Sequence, residues 1–109
     1  MVYAEYKMTK VLLKLGRTRE AEAHAARAVQ FAREVEAAGD SPHNRSYLGL
    51  ALSTAGEVRS AVADGSGACK LRMEARKWLE MDARGGKAPG WEADELTYVK
   101  RSLAGCGAR

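Results

Sequence analysis

Apolar positions along this chain recur three and four residues apart, the spacing that gathers one face of an α-helix, and no segment alternates like a strand. Glycine and proline clusters interrupt the pattern at Gly16-Arg17-Thr18, Ala38-Gly39-Asp40-Ser41-Pro42, Asp64-Gly65-Ser66-Gly67 and Gly85-Gly86-Lys87-Ala88-Pro89-Gly90. Each reads as a turn, so five helices are expected. The first covers 2–15, with Tyr3, Tyr6, Val11, Leu12 and Leu15 apolar, and Gly16 supplies the left-handed residue that ends it. The second runs from Thr18, placed to cap it, to Ala38 on a stripe of Ala21, Ala25, Ala28, Phe31, Ala32 and Val35. Ser41-Pro42 opens the third: serine as cap, proline where no donor is lost. Its apolar residues are Tyr47, Leu48, Ala51, Leu52, Ala55, Val58 and Val62. Ser66 is placed to cap the fourth, which carries Ala68, Leu71, Ala75, Trp78 and Leu79. A shorter fifth helix has Trp91, Leu96, Val99 and Leu103 on one face. Glu92, Asp94 and Glu95 fall in its first turn, where the helix dipole favours acids.

Sliding the chain 47 residues against itself brings Ala4 onto Ala51, Val11 onto Val58 and Leu15 onto Val62, then Ala21 onto Ala68, Ala28 onto Ala75 and Phe31 onto Trp78. Small residues recur where two helices approach closely, and an aromatic recurs where a gap needs filling. The repeated unit is an antiparallel helical hairpin. With Gly16 at the first turn, Ala21 and Ala28 after it, and Gly56, Ala68 and Ala75 in the second copy, the chain resembles the tetratricopeptide family. Thr9 stands at the small first-helix position of copy one, and Ala63 at the turn of copy two. The period exceeds the family's usual ~34 residues, as in its kinesin-light-chain-like members. The stretch Tyr47 to Val58, then Ala68-Cys69, Trp78-Leu79 and Val99 to Cys106, resembles the repeat tails that follow bacterial serine/threonine kinase domains.

The resemblance implies an all-α fold: one domain, 1–109, with hairpins 2–38 and 43–84 and a capping helix 91–104, stacked as a short right-handed solenoid. It also implies a non-catalytic scaffold whose first helices line a groove, placing Tyr6, Lys10 and Lys14 of one pair and Ser53 and Glu57 of the next along it. The partner would be a protein or peptide, a kinase domain or its substrates among them, and the groove lysines would meet an acidic segment or a chain-terminal carboxylate. A hairpin cannot bury its apolar face alone. Val2, Tyr3 and Tyr6 therefore imply either the C-terminal part of a longer array or self-association through the N-terminal hairpin.

Composition narrows the alternatives. Aromatics at 6% and only two prolines argue against a sandwich or barrel. No apolar run approaches the ~20 residues of a membrane span, and the start lacks the basic-then-apolar order of a signal peptide. The expected compartment is the cytoplasm. There Cys69 and Cys106 would stay reduced, although one bridge between them is arithmetically possible. The net charge of +4 concentrates on 65–90, where Lys70, Arg72, Arg76, Lys77, Arg84 and Lys87 outnumber Glu74, Glu80 and Asp82. A competing reading follows: non-specific phosphate contact through the basic fourth helix. The interrupting acids and the Arg76–Glu80 spacing suit intrahelical pairs instead.

No enzyme is expected. His24, on the second helix's stripe, reads as a packing residue, and His43 as a solvated one. Asp64-Gly65-Ser66-Gly67 lacks the Lys-Ser/Thr ending and the preceding strand of a phosphate loop. Glu92, Asp94 and Glu95 read as dipole compensation. Neither cofactor nor metal is called for, and the cysteines have no ligand spacing around them.

Overall fold

In a computed structural model that describes residues 2–85 and 90–106, the chain forms α1 (Val2–Lys14), α2 (Thr18–Ala38), α3 (Pro42–Ala61), α4 (Gly65–Gly85) and α5 (Gly90–Leu103). No strand occurs among the described residues. Met1, Gly86 to Pro89 and the tail after Cys106 lie outside them, as do the side chains of Val2, Tyr3, Asp82, Ala83 and Arg84.

The 47-residue repeat is visible in the backbone. Gly16 takes φ +75° and Ala63, its counterpart, φ +63°. At the first turn the Gly16 N–H donates to Leu13 O and the Arg17 N–H to Leu12 O; at the second, Ala63 N–H donates to Ser60 O and Asp64 N–H to Arg59 O. This is one helix-ending motif built twice, with a left-handed residue satisfying the last carbonyls. Alanine pays a steric penalty for that conformation which glycine avoids. Ala63→Gly is therefore expected to stabilise the fold by about 1 kcal/mol, read as a higher urea midpoint; an unchanged or lower midpoint would contradict it.

Caps were only partly legible. Ser41 behaves as expected, its hydroxyl accepting from the Asn44 N–H at 3.1 Å. Thr18 does not cap: Arg17 takes that position without a side-chain bond and pairs with Glu20 instead. Ser66 does not cap α4 either. The Asp64 carboxylate accepts from the Gly67 N–H at 3.0 Å, two residues earlier than expected.

α3 is the axis of the packing. It meets α1, α2, α4 and α5, and most of its length is buried. Gly49 permits the closest approach: a Cβ there would lie 2.7 Å from Leu79 Cγ. The larger core, with Ala28, Ala32, Leu48, Leu52, Leu79, Leu96, Val99 and Leu103, sits between α2, α3, α4 and α5. A smaller one joins Leu12, Ala21, Ala25 and Val58. Ala21, Ala28, Ala68 and Ala75 are buried, as the repeat requires. Other stripe residues are not: Val11 is 50% exposed, Leu15 63%, Phe31 39% and Val62 37%. For Val11 and Leu15 the reason is position. Val58 has helices on both sides, whereas α1 packs only against α2 and α3.

The cysteines correct a further expectation. Cys69, early in α4, and Cys106, just beyond α5, form a disulfide with Cα atoms 5.9 Å apart, so neither is a free thiol. The bond ties the end of α5 to the start of α4.

Candidate functional site

α1 and α5 both pack against α3 without packing against each other, so the exposed side of α3 forms the floor of a groove between them. Successive turns of each helix line it. From one end to the other, α1 contributes Tyr6, Lys10 and Leu13, α3 contributes Leu50, Glu57, Ser60 and Ala61, and α5 contributes Trp91, Asp94, Glu95 and Tyr98.

Lys10 occupies the middle. Its Nζ lies 2.5 Å from Glu57 Oε1, 5.6 Å from the Tyr6 ring centre and 5.8 Å from that of Tyr98. This is an ion pair reinforced by two aromatic faces, whose negative quadrupoles attract a cation. Burial pulls the Lys10 ammonium toward neutrality. The Glu57 hydrogen bond and charge, with Tyr6 and Glu95 beyond, outweigh that and hold its pKa above the ordinary lysine value. Lys10 is thus engaged within the chain.

On either side of Lys10 lie two hollows. One, of about 280 Å³, is lined by Tyr6, Leu50, Trp91, Asp94 and Glu95. The other, of about 340 Å³, is lined by Leu13, Glu57, Ser60, Ala61, Arg72 and Tyr98. Arg72 reaches it from α4 across Gly56, where a Cβ would come within 3.0 Å of Arg72 Cγ. Ser53 Oγ donates to Glu95 Oε2 at 2.5 Å. Burial pushes the Glu95 pKa up; the Ser53 bond and Lys10 pull it partly back, Glu57 adds to the push, and the net shift is upward.

Of the five residues that the sequence places in the groove, Tyr6, Lys10 and Glu57 come together there. Ser53 lies beneath it, fully buried, acting through Glu95. Lys14 stays exposed and lines neither hollow. The sequence reading missed Asp94, Glu95, Tyr98 and Arg72 and gave Trp91 to the core. A signal existed: Trp91, Glu95 and Tyr98 recur at i, i+4 and i+7, a face of α5 distinct from Leu96, Val99 and Leu103. The acids of α5 are not the solvated first turn expected. Glu92 is only 1% exposed and meets the Ser46 hydroxyl. Glu95 turns toward Ser53, and Asp94 alone is exposed.

The remaining candidates make contacts within the chain. His24 is half-buried, its Nδ1 against Glu5, which Arg27 also contacts at 3.2 Å. The His24 bond, opposed by burial and aided by Arg27, holds the Glu5 pKa below its ordinary value. The Arg33 bond does the same for Glu74, against burial. Both carboxylates stabilise the fold when ionised, so this contribution is present above their unfolded value of about 4.5 and disappears as pH falls through and below it. Urea midpoints should therefore drop from about pH 5 to pH 3, and Glu74→Gln should flatten that drop; a variant as acid-sensitive as wild type would contradict the assignment. His43 meets Tyr47 in a tilted ring contact, centres 4.6 Å apart, and Tyr47 meets Trp91 likewise at 5.6 Å.

On α4, Lys70, Arg76 and Lys77 are exposed, while Glu74 pairs with Arg33 at 2.7 Å and Glu80 with Lys100 at 3.4 Å. No group of three side chains suited to a metal occurs among the described residues. None of their helices is long and apolar enough to cross a membrane. The chain matches no family model, no curated protein and no solved structure.

Proposed function

We propose that this chain is a non-catalytic protein-interaction module, a short right-handed stack of tetratricopeptide-like hairpins with α5 as its C-terminal cap, that takes an extended partner segment along the groove of α1, α3 and α5. The carrying observation is the succession of these three helices: α3 packs against α1 and α5 in turn, whereas α2 and α4 have no comparable helix packing. α2 and α4 are linked instead by the Arg33–Glu74 ion pair. Stacked hairpins produce this asymmetry, with first helices side by side and second helices splayed behind them. The twice-built turn supports the same reading. Groove composition adds to it. Tyr6, Trp91 and Tyr98 offer amphipathic rings of the kind that anchor protein partners. The exposed Val11 and Leu15 on the outer side of α1 suit a further helix, from an adjoining hairpin or a second copy.

The test is retention of immobilised random decapeptides by the tagged protein. Wild type should retain a discrete subset. Tyr6→Ala/Tyr98→Ala should weaken that retention by about tenfold with an unchanged circular dichroism spectrum, and Lys77→Glu on α4 should leave it intact. Retention indifferent to the groove substitutions, or none at all, would overturn the reading. So would duplex DNA binding at physiological salt that Lys77→Glu abolishes, which would shift the function to α4.

A further inference from the structure

The partner's chemistry can be taken one step further, resting on the groove reading above. The groove has two compartments with Lys10 between them, where it lies over the rings of Tyr6 and Tyr98 and is neutralised by Glu57. The compartment of about 280 Å³ offers a cation the same kinds of group that hold Lys10: the aromatic side chains of Tyr6 and Trp91, an apolar floor at Leu50, and the carboxylates of Asp94 and Glu95. No cation of the described residues lines it, whereas Arg72 lines the other. Among the described residues no basic group lies within ion-pair distance of Asp94 or Glu95; Lys10, bonded to Glu57, acts on Glu95 only from farther away.

The charge of this compartment is therefore opposite to the one expected from the groove lysines. An acidic partner segment would meet Asp94 and Glu95 there, while the lysine meant to receive it is already neutralised by Glu57. A lysine or arginine side chain fits. Its methylenes would lie on Leu50 and the ring faces, and its charged end would reach the carboxylates. The Ser53 bond fixes Glu95 in place, so little side-chain entropy remains to be lost on binding.

We propose that the compartment between Tyr6 and Trp91 receives a basic side chain of an extended partner segment, with Asp94 and Glu95 as its counter-ions.

The peptide array decides it. Peptides retained by wild type should be enriched in lysine or arginine. Replacing that residue by norleucine, which keeps the stem and removes the charge, should weaken binding by about tenfold. Asp94→Asn/Glu95→Gln should bind the lysine and norleucine peptides equally, with its melting temperature verifying the fold; the glutamine at 95 still accepts from Ser53. A second readout comes from pH. Because burial holds Glu95 above the ordinary carboxylate range, affinity for a lysine peptide should begin to fall at a higher pH than an ordinary carboxylate would give, and the double variant should lose that dependence. Wild type that retains peptides but does not distinguish lysine from norleucine overturns this inference and leaves the groove reading standing. Wild type that retains no peptide overturns the groove reading, and this one with it.

Discussion

Reducing the bond between Cys69 and Cys106 is expected to lower the melting temperature by roughly 15 °C or more. The two residues are 37 apart in sequence. Cross-linking a loop of that length removes enough freedom from the unfolded chain to stabilise the fold by about 4 kcal/mol in the chain-entropy account. A domain of this size shifts by about 4–8 °C per kcal/mol. The cost falls on α5, which the bond clamps to α4 and which supplies one wall of the groove. Leu96, Val99 and Leu103 still hold α5 against the core, so the reduced chain should stay helical while α5 exchanges its amide hydrogens faster than α3. Cys69→Ser/Cys106→Ser should reproduce the effect without reductant. A thiol titration that finds two free cysteines in the air-oxidised protein, or a melting temperature indifferent to reductant, would contradict the bond. Disulfides persist in oxidising compartments and are rare in reducing ones, so in a reducing cytoplasm the clamp would be absent and α5 more loosely held.

The Gly49–Leu79 contact should give the other large effect. Leu79 is fully buried in the larger core, so Leu79→Ala should cost about 3–4 kcal/mol through lost burial and the cavity left behind. Gly49→Ala fails for the opposite reason. Its new Cβ would lie 2.7 Å from Leu79 Cγ and 2.8 Å from Cδ2, forcing α3 and α4 apart at a cost of about 1–3 kcal/mol. The two changes share one space. Combined, they should therefore cost less than the sum by about 1 kcal/mol or more, the alanine at 49 occupying part of what Leu79 vacates. Denaturant unfolding of the three variants measures this cycle. Additive losses would mean that the helices do not touch there.

Periodicity is enough for the five helices because each keeps its apolar residues three and four apart, and the 47-residue self-match marks the two hairpins. What it could not give is which stripe residues find a neighbour. Val11 and Val58 are the same residue type in the same register, yet one faces solvent and the other the core, since α3 packs against four helices and α1 against only α2 and α3. Lys10 and Glu57 were legible as groove residues but not as partners. Their pairing depends on the distance between α1 and α3, which no local pattern encodes. Glu92 and Glu95 suited a helix N-terminus so well that dipole compensation looked sufficient; their burial comes from the rotation of α5 about its axis, set by Leu96, Val99 and Leu103. The cysteines failed differently. Two thiols 37 residues apart carry no pairing signal until the fold brings α4 and α5 together.

The most direct test of the central claim is the map of backbone amide shifts when an array-selected peptide is titrated into isotopically labelled protein. The groove account predicts shifts concentrated at Tyr6, Lys10, Glu57, Asp94, Glu95 and Tyr98, with α2 and the outer face of α4 silent. Shifts centred on Lys70, Arg76 and Lys77 instead would contradict it.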